Sequence, residues 1–160
     1  MPRPRHSKSS RETAAALARA APLVSRWIER VLAAHDPPLT VAQYLALRAI
    51  DEEGIVGAEL ARRTAVSPAA VSQLLATLEA AGLVERRPAL EDRRRQALAL
   101  GREGRLTLRS AQLLLQDSLA SLLSDLPPPE VDALGRLLGR LERTLTGAVP
   151  PPRPPRPPRP

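Results

Sequence analysis

Apolar residues recur along most of the chain at the three-and-four spacing of an α-helix, and the pattern breaks once. Leu17, Ala21, Val24, Ile28 and Val31 fall on one face, which predicts a first helix stopped by Pro37-Pro38 after Asp36. Thr40 reads as the N-cap of a second helix carrying Val41, Tyr44, Leu45, Leu47 and Ile50 and ending at Gly54. A short third helix is expected around Ala58 to Arg63, with Leu60 and Ala61 inward. Ser67-Pro68 is a strong start signal, because serine caps free N–H groups while proline at the first helical position has its angle preset and no donor to leave unpaired. The helix it opens carries Val71, Leu74, Leu75 and Leu78 on its apolar face. Its opposite face is small and polar: Ala69, Ala70, Ser72, Gln73, Ala76 and Thr77. Gly82 falls where a left-handed C-cap is needed.

The break follows. Leu83 to Arg87 and Arg95 to Leu100 read as two short strands around a basic loop, a hairpin with Pro88 in its turn. Beyond Gly101 and Gly104 a long helix carries Leu106, Leu113, Leu115, Leu119, Leu122 and Leu126 and stops at Pro127-Pro128-Pro129. In the last helix Val131, Leu134, Leu138, Leu141 and Leu145 are spaced three, four, three and four, the narrow seam of coiled-coil packing. Residues 1–10 read as a disordered basic arm, and 150–160, made only of proline and arginine, as a disordered tail inclined to polyproline II. Two helices joined by a tight turn, then a basic hairpin, is the order of a winged helix-turn-helix. The fold expected is therefore mainly α. Residues 39–101 form the winged helix-turn-helix with a small β-hairpin wing, and residues 11–38 and 102–149 form flanking N- and C-terminal dimerisation helices. A winged core this small cannot bury the leucine seam internally, so a second copy of the chain is expected to cover it.

Composition narrows what such a chain can do. Its 160 residues, 43% of them apolar, suffice for one domain with a core. With Cys 0 and His 2 there is no thiolate nucleophile, no disulfide framework and too few soft ligands for zinc. Asp51, Glu52 and Glu53 point in different directions around a helix and do not converge on a metal or an acid–base task. No nucleophile–base pair or glycine-rich phosphate loop is present either, so neither an enzyme nor a cofactor is expected. Phe 0, Trp 1 and Tyr 1 leave no aromatic platform for stacking single-stranded bases. No apolar run approaches the roughly 20 residues of a membrane span, and a cytosolic location is expected.

The net charge of +7 is held by the arms, where Arg3, Arg5, Lys8 and Arg11 and then Arg153, Arg156 and Arg159 have no acid among them. The body from Glu12 to Val149 is neutral but uneven. Arg86, Arg87, Arg93, Arg94, Arg95, Arg102, Arg105 and Arg109 face only Glu91, Asp92 and Glu103. A row of small side chains lets a helix lie deep in a major groove, and hairpin arginines reach phosphates or the narrow minor groove. Read singly, each feature is equally a solvated helix face or a solubility surface. In this order, beside helices whose seam must be buried, they favour double-stranded DNA as the partner.

Leu39-Thr40-Val41-Ala42-Gln43-Tyr44, Glu59-Leu60-Ala61, Val66-Ser67-Pro68-Ala69-Ala70-Val71-Ser72, Leu78-Glu79-Ala80-Ala81-Gly82-Leu83-Val84-Glu85-Arg86 and Asp92-Arg93-Arg94 resemble the multiple antibiotic resistance regulator (MarR) family of bacterial repressors. The resemblance is close from Leu39 to Arg105. It implies a homodimer with interlocked first and last helices, two winged domains on a palindromic operator, and a pocket for a small aromatic or phenolic effector between the halves. It further implies that Arg94 enters the minor groove from the wing tip, with Asp92 bracing its guanidinium and Arg93 and Arg95 beside it. Ser67, Pro68, Ala69, Ala70, Ser72, Gln73 and Thr77 would present the recognition helix to the major groove, and Arg86 and Arg87 would sit near phosphates. Gln73 departs from the family pattern, where a basic residue is common. Gly101 stands for the usual threonine, a cap change expected to cost only a few tenths of a kcal/mol. The absence of cysteine excludes the peroxide-sensing branch.

Trp27, His35, Tyr44 and Arg48 lie near where family members bind small aromatic acids and are the candidate effector pocket; the competing reading makes the rings part of the core. A second functional reading makes the chain a dimeric winged-helix adaptor whose Pro/Arg tail is a polyproline ligand for a protein partner.

Overall fold

The computed structural model describes residues 7–53, 67–88 and 96–147. Among them the chain forms α1 (Lys8–Ala33), α2 (Val41–Glu53), α3 (Pro68–Ala80), β1 (Val84–Pro88), β2 (Gln96–Leu100), α4 (Arg102–Leu123) and α5 (Pro128–Gly147). The expected short helix around Ala58 to Arg63, the wing loop with Asp92, Arg93, Arg94 and Arg95, and the tail at 150–160 lie outside the described residues.

Local capping chemistry sets the helix starts. Ser67 Oγ accepts from the Ala70 N–H at 3.2 Å, with Pro68 in the first turn of α3. Thr40 and Gln43 make a reciprocal box: Thr40 Oγ1 accepts from the Gln43 N–H at 3.1 Å and Gln43 Oε1 from the Thr40 N–H at 2.9 Å. Ser7 does the same for α1, its Oγ accepting from the Ser10 N–H at 3.1 Å. That corrects the expected arm at 1–10, since Ser7 to Ser10 are a cap and a first helical turn. The reading from composition overlooked a serine hydroxyl able to satisfy a free donor. At its other end α1 stops at Ala33, short of Asp36, because the Leu39 N–H returns to the Leu32 carbonyl at 3.0 Å and turns the chain back before the two prolines.

After α3 the Leu83 N–H donates to the Leu78 carbonyl at 3.0 Å and the Gly82 N–H to the Glu79 carbonyl at 2.9 Å, the paired bonds of a Schellman end. Gly82 takes a φ of 69°, as that motif requires. The chain then enters an antiparallel hairpin whose register pairs Val84 with Leu100, Arg86 with Leu98 and Pro88 with Gln96.

Residues up to Leu119 form one compact unit and those from Ala120 a second. The core of the first gathers Leu32 from α1, Ala46, Leu47 and Ile50 from α2, Val71, Leu75 and Leu78 from α3, Val84, Leu98 and Leu100 from the hairpin, and Leu108, Ala111 and Leu115 from α4. The core-facing stripe of α4 is thus Gly104, Thr107, Leu108, Ala111 and Leu115. Leu106, Leu113 and Leu122, expected from periodicity to line its apolar face, are exposed instead. Gly104, Thr107 and Ala111 on the core-facing stripe let α4 come close to its neighbours.

That closeness concerns Gly101 as well. A β-carbon there would meet the Gly82 carbonyl oxygen at 2.8 Å, and one at Gly104 would meet the Leu83 carbonyl oxygen at 1.9 Å. The absence of threonine at 101 is therefore a packing requirement, not the minor cap change expected from sequence. In the second unit, Val131, Leu134 and Leu141 of α5 are partly buried while Leu138 and Leu145 are exposed.

Candidate nucleic-acid interface

With Val71, Leu75 and Leu78 buried, the other side of α3 presents Ala69, Ala70, Ser72, Gln73, Ala76 and Thr77 to solvent. The helix is 13 residues and about 20 Å long, with no outward side chain bulkier than glutamine along this row, so its backbone can approach the floor of a groove about 12 Å wide. Polar groups at this helix already have partners within the fold. Ser67 spends its hydroxyl on the cap, and Thr77 Oγ1 donates to the Gln73 carbonyl at 3.0 Å.

Both basic residues of β1 are exposed and ion-paired. Arg86 Nε donates to Glu79 Oε1 at 2.8 Å, and Arg87 Nη2 donates to Glu85 Oε1. Arg105, at the start of α4, donates from Nη1 to the Leu100 carbonyl at 2.6 Å, which fixes it against the wing base.

The four candidate effector residues fall on three segments: Trp27 on α1, His35 in the α1–α2 connection, and Tyr44 and Arg48 on α2. Trp27 is half-buried on α1. His35 is buried, with Nδ1 2.7 Å from the Pro37 carbonyl oxygen and Nε2 2.7 Å from Ser110 Oγ. A carbonyl only accepts, so Nδ1 carries a proton, and both ring nitrogens are engaged in tying the α1–α2 connection to α4. Tyr44 packs against the core. Burial pushes its phenol above the ordinary 10.0, with Arg48 opposing and Glu52 adding to the shift. Arg48 Nε donates to Glu52 Oε1 at 2.7 Å.

A cavity of about 570 Å³ lies elsewhere, lined by Glu29 and Ala33 of α1, Leu39, Thr40, Val41, Ala42 and Leu45 at the start of α2, and Leu74 of α3. Sequence reasoning missed it. The available signal was Leu45, an apolar residue beside the core face of α2 that Ala46, Leu47 and Ile50 already complete, and it remains 42% exposed. On α5 a second apolar groove, about 600 Å³, runs along Leu138, Leu141 and Leu145.

A capped helix with a small outer face, turning through a left-handed glycine into an antiparallel hairpin, is the DNA-reading half of a winged helix-turn-helix, and the chain is a DNA-binding protein of that class. Residues 38–95 match the sequence model of the MarR family. The HTH-type transcriptional repressor Rv2887 of Mycobacterium tuberculosis (strain ATCC 25618 / H37Rv) is 31% identical over 104 residues, which is 64% of this chain and 75% of that protein. The chain belongs to the MarR family of transcriptional regulators.

Solved structures agree. Rv2887 of M. tuberculosis in complex with p-aminosalicylic acid is 27% identical, with a TM-score of 0.66 over 81% of this chain and 97% of that one. Rv1404 of the same organism is 25% identical, with a TM-score of 0.75 over 91% and 99%.

Proposed function

We propose that the chain is a homodimeric transcriptional repressor that binds a palindromic duplex operator and is released by a small molecule. The observation that carries this reading is the exposed small-residue row of α3 set against the hairpin. With α3 in the major groove, the wing loop is left to reach the flanking minor groove, where Arg94, braced by Asp92 and flanked by Arg93 and Arg95, meets the negative potential of a narrow groove. Two-fold symmetry of the dimer would be mirrored in operator half-sites about 34 to 36 Å apart. The setting proposed is the cytosol; no described helix is long and apolar enough to cross a membrane.

Protection mapping on the DNA upstream of the protein's own gene should show a palindromic footprint. Arg94→Ala should weaken operator binding by about 10- to 100-fold, the worth of one good groove contact, and leave thermal unfolding unchanged. Asp92→Ala should act in the same direction but less strongly, since it frees the guanidinium without removing it. Parent-like binding by both variants would show that the wing does not read this operator.

Rv2887 takes p-aminosalicylic acid, so aromatic acids are the first effectors to try. Glu29 among the residues lining the 570 Å³ cavity disfavours a carboxylate there, and the site proposed is the region beside Trp27 and Tyr44. Trp27 is the only tryptophan. A bound phenolic acid should quench it and lower operator affinity together; a panel that moves neither property would remove aromatic acids as effectors.

A further inference from the structure

We propose that Arg86 is a positioning residue of the wing and not a phosphate contact: its ion pair with Glu79 fixes the angle between the hairpin and the recognition helix. The inference rests on the DNA-binding reading above, and the pleat of the sheet supplies its basis. Alternate residues of a strand leave on the same face, as do residues directly opposite on its partner. Val84 and Arg86 therefore share a face with Leu100 and Leu98, and those three apolar neighbours are 3%, 3% and 4% exposed. Arg86 emerges from the core side of the hairpin. Arg87 and Glu85 share the outer face and pair there with each other. From its position Arg86 turns back to Glu79, one residue after fully buried Leu78 near the end of α3, and Nε sits 2.8 Å from Oε1.

The two residues are seven apart and joined through the Gly82 turn. That turn is the pivot about which the wing would tilt. Buried Leu83, Val84 and Leu100 hold the base of the hairpin, and Arg86 is attached one step further out, opposite buried Leu98, toward the loop that must meet DNA. A two-stranded ribbon is marginal when unsupported. Val84 to Pro88 spans about 13 Å, so a tilt of about 10° at the base would displace the far end by about 2 Å. The Arg86 side chain is 52% exposed and that of Glu79 29%, so the pair contributes little to global stability. What it supplies is direction. A guanidinium committed to Glu79 from the core side is also poorly placed to serve a phosphate on the outer side.

The test uses full-length Glu79→Gln, Arg86→Ala and the double exchange Glu79→Arg/Arg86→Glu, measuring operator affinity against salt and amide exchange in β1 and β2. Each single variant should bind about five- to tenfold more weakly, with the slope of log affinity against log salt unchanged, and the exchanged pair should return to within about twofold of the parent. Wing amides should exchange faster in Glu79→Gln while the melting temperature stays the same. The opposite pattern overturns the inference: Glu79→Gln binding as tightly as the parent or more so, with Arg86→Ala reducing the salt slope by about 0.9, would make Arg86 a phosphate contact. An exchanged pair that stays weak overturns it too. Should the parent protect no duplex at all, the DNA reading fails separately and amide exchange alone decides: faster in Glu79→Gln supports the strut, unchanged refutes it.

Discussion

Gly104→Ala is expected to destabilise the protein by more than about 3 kcal/mol, where the same change inside an ordinary helix would stabilise it by about 0.8–1.0 kcal/mol. The sign reverses because α4 crosses the end of the Gly82 turn with no space between backbones. A β-carbon at 104 would lie 1.9 Å from the Leu83 carbonyl oxygen and 2.8 Å from its carbon. Neither atom belongs to a side chain that can rotate away. The Leu83 carbonyl also accepts from the Gly101 N–H at 3.0 Å, so moving it breaks the link between the hairpin and α4. For a domain stable by about 5–15 kcal/mol this is a large share, visible as a lowered urea midpoint and an expanded native state. A rise in stability on Gly104→Ala would show that the crossing is looser than described.

Leu138→Glu combined with Leu145→Glu is expected to abolish both the proposed dimer and operator binding. Leu138 is 52% exposed and Leu145 65%, and both line the apolar groove of α5. Burying a leucine contributes about 1.5–3 kcal/mol, and two-fold symmetry counts each position twice, so four sites supply about 6–12 kcal/mol before the cost of burying new carboxylates. Dimer affinity should fall by at least about 10⁴-fold. Sedimentation at micromolar concentration should show dimer for the parent and monomer for the double variant, with the footprint lost only in the latter. A parent that sediments as a folded monomer and still protects its operator would refute the dimer.

Features legible in the sequence were those fixed within one turn of the chain. Ser67-Pro68, Thr40 and Gly82 announced their caps because the chemistry of a cap is local, and the change from helical to strand spacing after Leu83 located the hairpin. What depends on partners far along the chain was not legible. Nothing near His35 in the sequence reveals Ser110, 75 residues away, as the partner of its second nitrogen. Arg86 and Arg87 looked alike as neighbours in a basic run, yet the pleat sends one toward α3 and the other outward. The close side of α4 escaped notice because its contact depends on the smallness of Gly104 and Ala111, which leucine periodicity does not register. The cavity beside Leu45 could not be seen either, since it is formed by residues from α1, α2 and α3 that meet only in the folded unit.

The length of α1 bears on how the cell would manage this protein. The helix has 26 residues, about 39 Å, and among the described residues it meets the hydrophobic core through Ile28, Val31 and Leu32 near its end. Leu17, Leu23 and Val24 stay 47%, 60% and 47% exposed, and Pro22 deprives the middle of one backbone donor. A helix with so little tertiary support is marginal alone. In the proposed dimer a partner would hold its front half in place; a lone subunit would be expected to fray there into an arginine- and alanine-rich stretch of chain open to proteases. Surplus subunits would then be cleared faster than assembled ones, and the steady-state amount of regulator would depend on degradation of the unassembled fraction as well as on synthesis.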